Sequence, residues 1–151
     1  MEYIKKFDDF YPKDIEESTI IHVRLGDVVC GNYFYEKWKR PINIEKIQEI
    51  LQDDNNKKYI IGHCFFSEDS SNNYEECLIE SNNYLIKILN LLNADYIYSE
   101  NADFDLCFAV KAKKFVQGRG FYSKLIVEIR KKLNKENIET ECEDFNICSP
   151  C

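Results

Sequence analysis

The chain has 151 residues, 44% of them hydrophobic and 14% aromatic, which is ample for one packed domain spanning 1–151. Twenty basic residues against 27 acidic ones give a net charge of −7, which argues against a phosphate-tracking nucleic-acid surface and against attachment to anionic lipid. No apolar run approaches the roughly 20 residues of a membrane span, and the opening "MEYIKKFDDF" lacks the apolar centre of a signal peptide. The expectation is a soluble, cytoplasmic protein.

In chain order, residues 1–17 mix aromatics and charges without a clean period and are broken by Pro12, so they read as a lead-in that packs by its aromatics. Residues 19–25, within "IIHVRLGD", read as a buried first strand. An aromatic loop, "VVCGNYFYEKWKRP", leads to a helix capped by Asn43 with Ile44, Ile47 and Leu51 on one face. "KKYIIGHCFF" has the apolar density of a second strand, and the polar loop "SEDSSNN" follows it. A helix is predicted from Tyr74 to Leu92 with Leu78, Leu85, Leu89 and Leu92 inward.

"ADYIYSE" reads as a short third strand, "DFDLCFAVKAK" as a helix with Leu106, Ala109 and Val110 inward, and "KFVQG" as a fourth strand. The last helix begins near Gly120 with Leu125, Ile126, Ile129 and Leu133 on one side, and an acidic, cysteine-containing tail occupies 140–151. Strands alternating with helices at this spacing predict an α/β fold: one Rossmann-like parallel sheet of about four strands with helices on both faces.

Of the seven cysteines, Cys30, Cys64, Cys77 and Cys107 fall in apparent core elements and read as reduced thiols. Cys142, Cys148 and Cys151 crowd the tail, but no second CxxC pair or nearby histidine completes a zinc set, so no metal is expected.

In such a sheet ligands bind beyond the carboxyl ends of the strands, where "RLGD", "FSEDSS", "SENADFD" and "QGRGFYS" should meet. Two of the four arginines, Arg24 and Arg119, and three of the five glycines, Gly26, Gly118 and Gly120, fall in the first and last of these segments. Two readings of Arg24 stand. It pairs with Asp27 in a structural ion pair while His22 is a satisfied core histidine, or its planar donor fork meets a phosphate where the crevice opens. Gly118 and Gly120 around Arg119, with Ser123 in the first turn of a helix, describe backbone that approaches an anion closely, or an ordinary strand-to-helix turn. Glu100, Asp103 and Asp105 read either as a solvated helix start or as carboxylates able to accept from a guanine. Walker, GxGxxG, GxSxG, HExxH and DxD motifs are missing; "DFD" at Asp103 to Asp105 has only the DxD spacing.

"HVRLGD" resembles the HxRRxD motif of GDP-fucose-dependent fucosyltransferases, and "DLCFAVKAKKFVQGRGFYSKLI" is similar to their later segment, with Asp105 on the family's Asp and Ser123 on its final Ser. Leu25 stands where glycan-modifying members carry a second arginine, and Gly120 and Phe121 replace serines. The resemblance covers the nucleotide-binding half of a GT-B-like fold. It implies a metal-independent, inverting transfer of fucose from GDP-fucose, the donor substrate, to a hydroxyl of a glycan or protein acceptor. It implies that Arg24 holds the β-phosphate and stabilises the departing diphosphate, that His22 contacts the nucleotide, and that Asp27 is structural. Ser123 and the amides around Gly118, Arg119, Gly120 and Phe121 would grip the diphosphate. Glu68 and Asp69 are candidate bases. Tyr33, Phe34, Tyr35 and Trp38 suit sugar stacking or an interface, and an oligomer or partner chain is the expected means of completing the acceptor cleft. The rival is a catalytically inactive nucleotide-binding or interaction module of the same fold.

Overall fold

Five parallel strands organise the computed structural model, which describes residues 7–30, 41–66 and 74–140. The main-sheet strands are β1 (Thr19–His22), β3 (Lys58–Ile61), β5 (Asp95–Tyr96), β6 (Lys114–Val116) and β7 (Glu136–Ile138), in the order β5-β3-β1-β6-β7. Strands β2 (Leu25–Gly26) and β4 (Cys64–Phe65) form a separate parallel pair. The α-helices are α1 (Asp27–Cys30), α2 (Ile44–Ile50), α3 (Tyr74–Leu92), α4 (Ala102–Lys111) and α5 (Phe121–Lys132).

Strand β1 is buried on both faces, which is why its sequence is a continuous apolar run rather than an alternation. Its side chains divide between two cores. Ile20 joins Tyr59, Ile61 and Phe115 under Phe108 of α4 and Ile126 of α5, whereas Ile21 joins Ile60 and Val116 under Ile47 of α2 and Ile88 of α3. The chain therefore runs outward from β1 through β3 to β5 with α2 and α3 on one face. It then returns to β6 on the other side of β1 and continues to β7 with α4 and α5 on the opposite face. The reversal falls between β1 and β6, the position at which open α/β sheets form a ligand crevice.

Four details differ from the sequence expectation. The first strand stops at His22 and resumes as β2, and the second breaks likewise before β4, because Val23 and Arg24 cross beside Gly62 and His63. Strand β7 was not anticipated: three polar-flanked residues at a sheet edge carry no period, and only pairing with β6 defines them.

Helix faces match the expectation in part, with Leu92 and Ile126 buried and Leu85 and Leu89 packed on the core, but they also bury polar groups. Helix α5 buries Ser123, Ile126, Val127 and Arg130 and leaves Leu125 49% exposed, and α3 buries Cys77, Ser81, Ile88 and Leu92 while Leu78 is exposed. Polar groups hold these inward positions because their hydrogen bonds are met inside. The Gly26 N–H donates to Ser81 Oγ at 2.9 Å, and Arg130 donates to the carbonyls of Ala109 (2.6 Å), Ala112 (2.9 Å) and Glu136 (2.6 Å). Finally, Cys77 is disulfide-bonded, with a partner outside the described side chains. This corrects the reduced-thiol expectation, which holds for Cys64 and Cys107.

Candidate functional site

Arg24 lies just past β1, at the reversal point of the sheet. Its Nε and Nη2 donate to Asp27 Oδ1 (3.2 and 3.0 Å), and Nη2 also donates to Oδ2 at 2.7 Å. Asp27, 4% exposed at the start of α1, fixes the fork, while Arg24 retains 27% exposure. The guanidinium also lies 5.4 Å from the centroid of the exposed Phe65 ring. Nη1 makes no hydrogen bond among the described residues and points toward the turn after β6, where a Cβ on Gly120 would stand 3.6 Å away. The ion-pair reading of Arg24 is met on the Nε and Nη2 edge of the fork, and Nη1 lies on the side of Gly120.

The turn from Gly118 to Gly120 is shaped by its neighbours. A Cβ on Gly118 would meet the His22 carbonyl oxygen at 2.2 Å and His22 Nδ1 at 2.5 Å, so only glycine lets β6 leave the sheet beside β1. Gly120 has φ +92° and caps α5 without any side-chain hydrogen bond to the first turn. Ser123, expected to face the diphosphate, is fully buried, and its Oγ accepts from the Gly118 N–H at 2.8 Å. It holds the turn instead. Phe121 projects outward, 88% exposed. Arg119 is half-buried, and burial lowers the pKa of its guanidinium, within electrostatic reach of Tyr84 on α3.

His22 is buried beside Tyr122, ring centroids 5.5 Å apart, with no partner for Nδ1 among the described residues. Burial lowers its pKa to about 4, and the nearby His63 and Arg24 act in the same direction. It is a neutral ring at physiological pH.

Asp105 corrects an expectation. Placed among the ligand-facing carboxylates by sequence, it is buried in the first turn of α4, and its Oδ2 is engaged by Nε2 of His63 at 2.8 Å. Burial raises its carboxyl pKa, and the His63 contact opposes that. Oδ1 has no partner. Asp103 lies in the same turn, its N–H donating to the Asn101 cap at 2.9 Å, and Glu100 is exposed before it. His63 carried no motif; its only sequence signal was a polar ring interrupting the run "YIIGHCFF" at the end of a buried strand. Glu68, Asp69, Tyr33, Phe34, Tyr35, Trp38, Cys142, Cys148 and Cys151 lie outside the described residues.

The edge therefore presents an open guanidinium edge, an uncapped helix start and a histidine backed by a carboxylate, rimmed by Phe65 and Phe121. Donors of this kind suit an anion, and the rings suit a planar or sugar group. The topology defines a Rossmann-like layer matching one half of a GT-B fold. No family model matches the chain, and no curated protein matches it. Among solved structures it is similar to POFUT1 in its apo form, with a TM-score of 0.55 and 14% identity over 93% of this chain and 45% of that one. It is likewise similar to POFUT1 in complex with GDP-fucose, with a TM-score of 0.53 and 13% identity over 93% and 46%. The chain spans less than half the length of these structures, and the likeness is one of fold.

Proposed function

We infer that the chain binds a guanine nucleotide sugar, GDP-fucose, at the β1–β6 edge, with Arg24 on the β-phosphate. The observation that carries this reading is that Nη1 of Arg24 adjoins the start of α5 at Gly120, which has no side-chain cap, so that two donor surfaces lie side by side where one diphosphate would meet both. The motif "HVRLGD" supports it, as does the fold shared with a POFUT1 structure that holds GDP-fucose. In a transfer reaction Arg24 would stabilise the charge developing on the departing diphosphate, the interaction that counts most in a dehydrated site. The acceptor is a hydroxyl of a glycan or protein. The disulfide at Cys77 favours maturation in an oxidising compartment over the cytoplasmic setting expected from the sequence.

A second reading, a nucleotide-binding module without turnover, draws on Asp27 holding two of the three nitrogens of Arg24. Thermal unfolding with GDP, GDP-fucose, UDP-sugars and ATP tests both. Ligand at about 100 times Kd should raise Tm by roughly 5–10 °C, for GDP and GDP-fucose only, and Arg24→Ala should remove the shift. A protein indifferent to all four ligands rejects the nucleotide-sugar reading. GDP release from GDP-fucose distinguishes transferase from module.

A further inference from the structure

Resting on that reading, we propose that His63, held through Nε2 by Asp105, takes the proton of the incoming hydroxyl. The register places it there. His22 pairs with Ile61 in the β1–β3 ladder and Leu25 with Cys64 in the β2–β4 ladder, the same offset on both sides of the break, so Arg24 and His63 are lateral neighbours across it. The Leu25 N–H donating to the His63 carbonyl at 3.3 Å ties the two segments together. Side chains at lateral positions of a parallel pair project to the same face. Accordingly, Arg24 reaches Gly120 and His63 reaches Asp105, both on the side of α4 and α5.

The chemistry of the pair is that of an oriented base. Asp105 is 2% exposed and has its contact to the imidazole, whereas the His63 side chain is 39% exposed. With Nε2 bound to the carboxylate, Nδ1 is left as the proton-accepting atom, and it makes no hydrogen bond among the described residues. A carboxylate behind one ring nitrogen fixes the tautomer that leaves the other nitrogen basic and stabilises the imidazolium once it forms. Among the described residues, His22 lies within electrostatic reach of His63, Arg24 is its lateral neighbour across the break, and the Tyr98 ring centroid is 6.0 Å from the imidazole. None of the three takes its Nδ1.

In the step, the hydroxyl oxygen bonds to the anomeric carbon, and the bond from that carbon to the β-phosphate oxygen breaks with its electron pair leaving on the diphosphate beside Arg24. The hydroxyl proton passes to Nδ1 of His63. Water in place of the hydroxyl acceptor gives free fucose and GDP by the same proton path, so no acceptor need be known to test it.

GDP release from GDP-fucose in buffer should fall about 100-fold or more in kcat for His63→Gln with KM little changed, while the GDP-induced Tm shift persists. In His63→Ala, added imidazole should restore part of the rate, a response that a merely structural role does not produce. Asp105→Asn should lower kcat at unchanged KM and displace the acid limb of the pH–rate profile, because Asp105 positions the ring. A His63→Gln protein that binds GDP and releases it from GDP-fucose at the wild-type rate overturns the proposal. So does a wild-type protein that binds GDP-fucose yet releases no GDP anywhere between about pH 5 and 8. A wild-type protein showing no response to GDP-fucose removes the binding reading itself.

Discussion

Gly120 and Arg24 meet just beyond the paired strands β6 and β1, with 3.6 Å, a contact distance, between the position of an absent Cβ and Nη1. An alanine at 120 would have to adopt φ +92°, in a region that L side chains rarely enter. Gly120→Ala should therefore cost about 1–3 kcal/mol and weaken the GDP-induced Tm shift, as the turn moves off the guanidinium. Gly118→Ala is more severe, since its Cβ would overlap the His22 carbonyl at 2.2 Å. It should lose soluble folded protein or more than about 3 kcal/mol. Urea titrations of both variants check the ranking.

Arg24→Lys separates charge from geometry. An ammonium lacks the planar fork that spans Asp27 on one edge and the crevice on the other. The variant should retain less than a tenth of the GDP affinity, about 1.4 kcal/mol or more, and calorimetric titration with GDP measures it.

Acid should destabilise the protein through His22. Its folded pKa is lowered to about 4 from 6.5, so the unfolded chain binds the proton first as pH falls. The stability is complete above pH 6.5 and is lost as pH drops toward 4, by about 3 kcal/mol. Unfolding midpoints measured between pH 7 and 4 should show that slope in wild type, and His22→Gln should flatten it.

Arg130 is a fully buried cation that ends α4 and pins β7 by its bonds to the Ala109, Ala112 and Glu136 carbonyls, with Nε donating to Asn137 Oδ1 at 2.8 Å. Burial lowers its pKa to about 10. Arg130→Met leaves buried carbonyls without donors and should cost about 3 kcal/mol or more, visible in the urea midpoint. The GDP response should persist in the folded fraction, because the site lies at the other end of α5.

The disulfide at Cys77 closes a loop of the chain. Reducing agent should lower wild-type stability by about 2–4 kcal/mol and have no further effect on Cys77→Ala. Thermal scans with and without dithiothreitol make the comparison.

Element types were readable where a local pattern carried them. The predicted bounds of α3 coincide with those found, and Asn43 and Gly120 mark helix starts because capping is a short-range property. The inward faces of α3 and α5 were legible in part: Leu92 and Ile126 are buried and Leu85 and Leu89 pack on the core, whereas Ser81 and Arg130 take inward positions through partners 55 and 21 residues away, Gly26 and Ala109. No periodicity of apolar residues can register such bonds.

Local pattern in the chain is enough to read an α/β alternation and two segments, "HVRLGD" and "QGRGFYS", that place an arginine and a glycine turn after strands. Long-range packing set the full order β5-β3-β1-β6-β7 and the meeting of His63 with Asp105. It likewise assigned Ser123 to the interior. Strand order and buried pairing are long-range relations set by which faces pack together, whereas a linear chain displays only what neighbouring residues prefer.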